Sequence, residues 1–159
     1  MRVLALILVF LLAACGFKPL YEAGGSSVAM QAKLSAIEVA PIPDRLGQIM
    51  RNRLLDRLNV AASREYRLDI VLTQATEGYG VRPDAATTQE QLTMRAQVKL
   101  VSLLDEAVLF EEEMRARTSY DIVLSDFATV TQREDSARRL VLELAERIHR
   151  RLALQFSQS

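Results

Sequence analysis

The chain has 159 residues, half of them hydrophobic, with 20 basic and 20 acidic side chains and one cysteine. That charge balance excludes the strongly basic surface of a bulk nucleic-acid binder, and the length suits a single domain. A lone cysteine excludes an internal disulfide, so the fold rests on packing.

Arg2 supplies one positive charge, and Val3 to Ala14 then runs without a charge or a helix breaker. A short positive region, an apolar run and small residues before a cut form an export signal. The run is too short to span a bilayer, which takes about 20 apolar residues. Leu12-Ala13-Ala14-Cys15 sets small residues directly against the only cysteine, and this resembles the lipobox read by lipoprotein signal peptidase. The expected division is a cleaved signal peptide at 1–14, a lipidated N-terminus and tether at 15–33, and one periplasmic domain at 34–159. Cys15 is the expected lipidation (thioether and palmitate) site, which also accounts for an unpaired thiol in an oxidising compartment. Cleavage leaves 145 residues with 19 basic and 20 acidic side chains. Gly16 follows the cysteine; in resembling lipoproteins an aspartate there favours inner-membrane retention, so its absence favours the outer membrane.

Residues Gly16 to Met30 read as a linker around Gly24-Gly25-Ser26-Ser27. Leu34 to Ala40 reads as a short strand closed by Pro41-Ile42-Pro43. Asp44 stands where an N-cap belongs, and Leu46, Ile49, Met50, Leu54 and Leu58 follow at helical spacing, which predicts an amphipathic helix over 45–60. The period then changes to two. Tyr66, Leu68, Ile70 and Leu72 alternate with Arg67, Asp69, Val71 and Thr73, the pattern of a strand packed on one face. Glu77 to Asp84 is glycine-rich and predicts a loop or a bent strand end. Leu92, Met94, Ala96, Val98 and Leu100 alternate with Thr93, Arg95, Gln97 and Lys99. Asp105-Glu106 marks a turn, and a returning strand runs from Val108 to about Tyr120, completing a meander. A long helix follows. Thr131 and Glu134 have capping-box spacing, Asp126 offers an earlier start, and Ala137, Leu140, Val141, Leu144, Ile148 and Leu152 form its apolar stripe. The order β-α-β-β-β-α predicts an α+β two-layer sandwich, two helices on a four-stranded, mainly antiparallel sheet, with the face of Arg95, Gln97 and Lys99 open.

No catalytic set is evident. His149 is the only histidine and stands among Arg147, Arg150 and Arg151 as a rim side chain, without the partners that catalysis or metal binding requires. Glu111-Glu112-Glu113 lies on a strand, where neighbours point to opposite faces. The chain is expected to be no enzyme and to need neither metal nor cofactor.

Directly after the lipobox, Cys15-Gly16-Phe17-Lys18-Pro19-Leu20-Tyr21 resembles the CGFxPLY opening of the LptE family of lipopolysaccharide-assembly lipoproteins in its alphaproteobacterial form. Ser119-Tyr120-Asp121, Ser125-Asp126-Phe127-Ala128-Thr129, Asp135 and Arg151-Leu152-Ala153-Leu154 with Phe156 resemble that family's later motifs, and Gly80-Val81-Arg82-Pro83-Asp84 is similar more loosely. The resemblance implies two helices on a four-stranded sheet, and a non-enzymatic outer-membrane lipoprotein that plugs and assists assembly of the LptD β-barrel and binds lipopolysaccharide in transit. Arg82, Arg95, Lys99, Arg115 and Arg117 are the candidate contacts to barrel carboxylates or lipid phosphates; the alternative is that they only solubilise the surface. Phe17, Leu20 and Tyr21 are candidates for docking on the barrel or the membrane interface, or for packing on the domain's own sheet. A competing assignment is an auxiliary lipoprotein of a phospholipid-trafficking ABC transport system, which shares the α+β build without these motifs. A lipoprotein tying the outer membrane to the cell wall calls for long heptad helices or peptidoglycan-binding sites, and neither pattern is evident.

Overall fold

The strict alternation from Leu92 to Leu100 places every second side chain in an apolar layer, and Leu92, Met94, Ala96, Val98 and Leu100 are fully buried. They lie at the centre of the sheet in a computed structural model that describes residues 26–81, 87–122 and 125–157. Cys15, Phe17, Leu20, Tyr21 and Arg82 fall outside the described residues. The elements are α1 (Ser26–Ser35), β1 (Ile37–Val39), α2 (Asp44–Leu58), β2 (Tyr66–Val81), β3 (Thr87–Ser102), β4 (Val108–Asp121) and α3 (Asp126–Ser157). The strands stand side by side in chain order.

The α+β sandwich is as expected, with two differences. An additional helix, α1, occupies residues assigned to the linker and to the first strand, so Leu34 packs from a helix and β1 begins only at Ile37. The sheet is mixed where a mainly antiparallel one was expected. β1 pairs parallel to β2 through Ile37–Tyr66 and Val39–Leu68, because a helical crossover such as α2 returns the chain to the end of the sheet it left. β2–β3 and β3–β4 are antiparallel, the first over almost the whole length of both strands.

The helix ends also differ in detail. No side chain caps α2 at Pro43, while Asp44 takes a left-handed φ of 66° as its first residue and places a carboxylate in the first turn. Asn59 closes α2 in the left-handed region, its amide donating to the Leu55 carbonyl at 3.1 Å. The Thr131/Glu134 spacing is not used as a cap. α3 begins earlier, at Asp126, and the Thr131 hydroxyl instead donates to the Phe127 carbonyl one turn back. The glycine-rich stretch is strand as far as Val81, with Gly80 at φ 75°; a positive φ suits glycine, which has no Cβ to clash.

One core serves all the elements. Met50, Leu54 and Leu58 of α2 and Leu140, Val141, Leu144, Ile148 and Leu152 of α3 pack with the inner faces of β1 to β4. Arg53 and Arg57 both donate to Glu146, at 2.7 and 2.9 Å, tying α2 to α3. Where β1 ends, Arg51 Nε donates to the Val39 carbonyl at 3.2 Å. Gly47 lets α2 approach the Pro41–Pro43 segment. A Cβ there would lie 2.6 Å from Ile42 Cγ2 and 2.8 Å from the Ile42 carbonyl oxygen. Gly47→Ala is therefore expected to lower stability by about 1–2 kcal/mol, overpacking outweighing the roughly 1 kcal/mol that alanine gains in a helix. A urea midpoint at or above that of the parent would contradict the packing.

Candidate functional site

With both large helices on one face, the other face of the sheet stays open. Its residues are the mostly polar partners in the register, with Val71 and Ala75 among them. Asp69, Lys99 and Glu111 form one cross-strand row; Val71, Gln97 and Glu113 the next; then Thr73, Arg95 and Arg115; then Ala75, Thr93 and Arg117. Beyond them, Gln91 lies opposite Ser119, and Gln89 donates to Asp121 at 2.8 Å. The face thus passes from rows bearing Asp69, Glu111 and Glu113 near the β3–β4 turn, through a band of arginines, to an amide- and hydroxyl-bearing end that also carries Glu77 and Asp121.

Four of the five cations proposed from sequence come together here. Arg95, Arg115 and Arg117 are exposed and Lys99 is half-buried. Arg115 is hydrogen-bonded to Glu113. Arg95 sits directly opposite Arg115, an arrangement that repels unless an anion lies between or above the pair. Chemically, the band offers guanidinium forks to carboxylate or phosphate oxygens.

A second cluster, missed at the sequence level, pins α3 to the far end of the sheet. Tyr120 is buried; its hydroxyl donates to Glu90 and accepts from Arg133 Nε at 2.8 Å, while Arg133 Nη2 reaches Glu90 at 2.9 Å. Burial, then Glu90, pushes the Tyr120 phenol up, so it keeps its proton and donates. The motif Ser119-Tyr120-Asp121 was the available signal; the partners come from two other elements and leave no local trace. Beside this cluster a cleft of about 370 Å³ opens between α2 and α3, with Arg45, Arg133 and Arg138 around Leu46, Ile49 and Ala137.

Two carboxylates in these ion pairs make stability depend on pH. The Tyr120 hydrogen bond and then Arg133 hold Glu90 below its usual range, and Arg57 and then Arg53 do the same for Glu146. A carboxyl whose folded pKa is depressed contributes stability above its unfolded value and loses it as pH falls through the folded value. Below the ordinary glutamate value of 4.5 the domain is expected to weaken. Glu146→Gln is expected to be less stable than the parent near neutrality, with the gap closing in acid. Urea titrations of both at about pH 7 and about pH 3 check the sign; a gap that widened in acid would refute it.

Among the described residues no group of three or more His, Cys, Asp or Glu side chains converges on a point. His149 is half-buried on α3, and burial lowers its pKa against the opposing pull of Glu146. The glutamate run divides as its strand dictates, with Glu112 paired to Arg151 of α3 at 2.9 Å and Glu113 on the open face with Arg115. No described helix is long and apolar enough to cross a membrane.

Comparison with known proteins adds the family dimension. A family model described as lipopolysaccharide-assembly, LptE, matches residues 34–152. An uncharacterised protein of Rickettsia prowazekii is 28% identical over 151 residues, covering 95% of this chain and 94% of that one. The fold is shared with a Caulobacter crescentus protein assigned as a lipoprotein, at TM-score 0.64 and 22% identity over 83% of this chain and 98% of the other. It is shared also with the rare lipoprotein B of Shewanella oneidensis, at TM-score 0.60 and 15% identity over 74% and 92%.

Proposed function

Because this chain belongs to the LptE family of lipopolysaccharide-assembly lipoproteins, a non-enzymatic family, we propose that it works as the lipid-anchored plug of an outer-membrane LptD β-barrel. In this reading Cys15 carries the acyl chains after cleavage at Ala14, and the domain fills the polar lumen, assists assembly of the barrel and binds lipopolysaccharide in transit. The observation that carries it is the extent of the family match, which runs from the end of α1 almost to the end of α3.

The geometry supports such a role. A plug needs one continuous polar surface to face a wetted barrel wall, and the open sheet face supplies it, the arginine band offering forks for wall carboxylates or lipid phosphates. The interior of a large barrel is itself polar. Phe17, Leu20 and Tyr21, immediately after the anchor, are assigned to docking at the barrel rim or the membrane interface. Arg82, between β2 and β3 in the sequence, is assigned to the same cation set.

Affinity capture of C-terminally tagged protein from detergent-solubilised membranes tests this directly. An LptD-type barrel is expected in the eluate, with lipopolysaccharide. An inner-membrane ABC transporter in its place would assign the chain to phospholipid trafficking instead.

A further inference from the structure

The end of the sheet at which the chain enters the domain also carries an exposed apolar tip. The Leu103 amide donates to the Glu65 carbonyl at 2.8 Å, and the Glu65 amide donates to the Ala36 carbonyl at 2.9 Å. The β3–β4 turn, the start of β2 and the α1–β1 junction therefore lie side by side. α3 ends there too, since Phe156 rests against Tyr66 with ring centroids 5.0 Å apart. Around the turn Leu103, Leu104, Val108 and Leu109 are all exposed, Leu104 by 96%. A single exposed leucine needs no explanation, but four exposed apolar side chains within the seven residues of one turn call for one. The turn is ordered: Ser102 N–H donates to the Ala107 carbonyl at 2.9 Å, and Ala107 N–H reaches the Asp105 carboxylate at 3.4 Å.

We propose that this turn is a second membrane contact of the lipoprotein before it enters the barrel, its three leucines and Val108 seated in the interface of the same leaflet that holds the acyl chains of Cys15. The inference rests on the lipid anchor of the proposed function. Chain length favours this occupant over a protein surface. The ten residues from Gly16 to Gly25 span at most about 35 Å when extended, and α1 adds about 15 Å. The sixteen-residue strands β2 and β3 run for about 50 Å. The anchor thus holds the turn end near the bilayer with slack to spare, whereas the opposite end, where Phe127 is exposed, meets the bilayer only with the whole connection drawn out. Asp105 and Glu106 at the tip rule out attraction to anionic lipid as the driving force. The contact is therefore one of apolar burial, indifferent to salt and favouring zwitterionic headgroups.

The chain has no tryptophan, so single tryptophans report cleanly. Full-length lipidated Leu104→Trp and Phe127→Trp proteins are reconstituted in phosphatidylethanolamine-rich vesicles with and without brominated acyl chains. The expected result is a blue-shifted Leu104→Trp emission, quenched by bromolipid several-fold more than that of Phe127→Trp and unchanged at high salt. Vesicle-bound protein whose Leu104→Trp emission stays water-like, or shifts only on adding purified barrel, would overturn the inference and leave the anchor standing. Protein that fails to float with vesicles would remove the anchor, and the inference with it.

Discussion

Replacing Leu144 with alanine is expected to cost about 2–5 kcal/mol of folding stability, the range for truncating a fully buried leucine when the cavity cannot collapse. Leu144 has no solvent exposure and sits mid-stripe on α3, in the same core cluster as Met50 and Leu54 of α2 and Met94 and Ala96 of β3. Its surroundings are fixed from both layers, so little can relax into the vacated space. A domain of this size has roughly 5–15 kcal/mol to lose, and a single cysteine leaves no disulfide to hold it together. Urea unfolding should show a lower midpoint with an unchanged slope. Leu104→Ala, at a position 96% exposed, serves as control and should stay within about 0.5 kcal/mol. A Leu144→Ala loss below about 1 kcal/mol would mean that α3 does not pack on the sheet as described.

The stripe containing Leu144 was legible in the sequence because a helix buried along one side repeats its apolar residues at 3.6, and β3 was legible because a half-buried strand repeats at two. Where an element lacks a clear period, the reading failed. In α1, Ser26 to Ser35, Val28 is exposed while Met30 and Leu34 pack on the core. That is too little periodicity to announce a helix beside Gly24-Gly25, and tertiary packing supplies the rest. Leu34 and Ile37 sit three apart, so the run into Ala40 suited either period; the helix ends between them. The parallel pairing of β1 is a property of the α2 crossover and left no mark on the three residues of the strand. Gly78 and Gly80 left a loop and a bent strand end both open, and the opposing strand from Gln89 to Gln91 decides for strand by keeping that stretch in register. For the surface, alternation placed Arg95 and Lys99 on the polar side of β3. It could not show that Arg115 would stand opposite Arg95, since strand register is set by the turn and the core together. Nor could it show Glu90, Tyr120 and Arg133 meeting from three elements.

That register leads to the second large effect. Arg95→Glu combined with Arg117→Glu is expected to abolish recovery of the barrel in affinity capture while leaving the unfolding midpoint within about 0.5 kcal/mol of the parent. Both side chains are exposed. Among the described residues neither makes a hydrogen bond or an ion pair, so the free domain loses no contact when they change. In a complex the account differs. A guanidinium buried against a carboxylate leaves that carboxylate unpaired when removed, at about 2–5 kcal/mol per pair, and reversal adds repulsion. Two such sites place capture beyond detection. Arg150→Glu, an exposed change on α3 of the helical layer, should leave capture intact, and Arg95→Lys should retain part of it because charge survives while the fork is lost. Measuring lipopolysaccharide in the same eluates separates the two ligands proposed for the arginine band. Loss of the barrel with lipopolysaccharide retained would make the open face a protein interface; loss of lipopolysaccharide with the barrel retained would make it a phosphate site. Undiminished recovery of both would show that these arginines only solubilise the sheet, and the plug would have to meet its barrel through the helical layer instead.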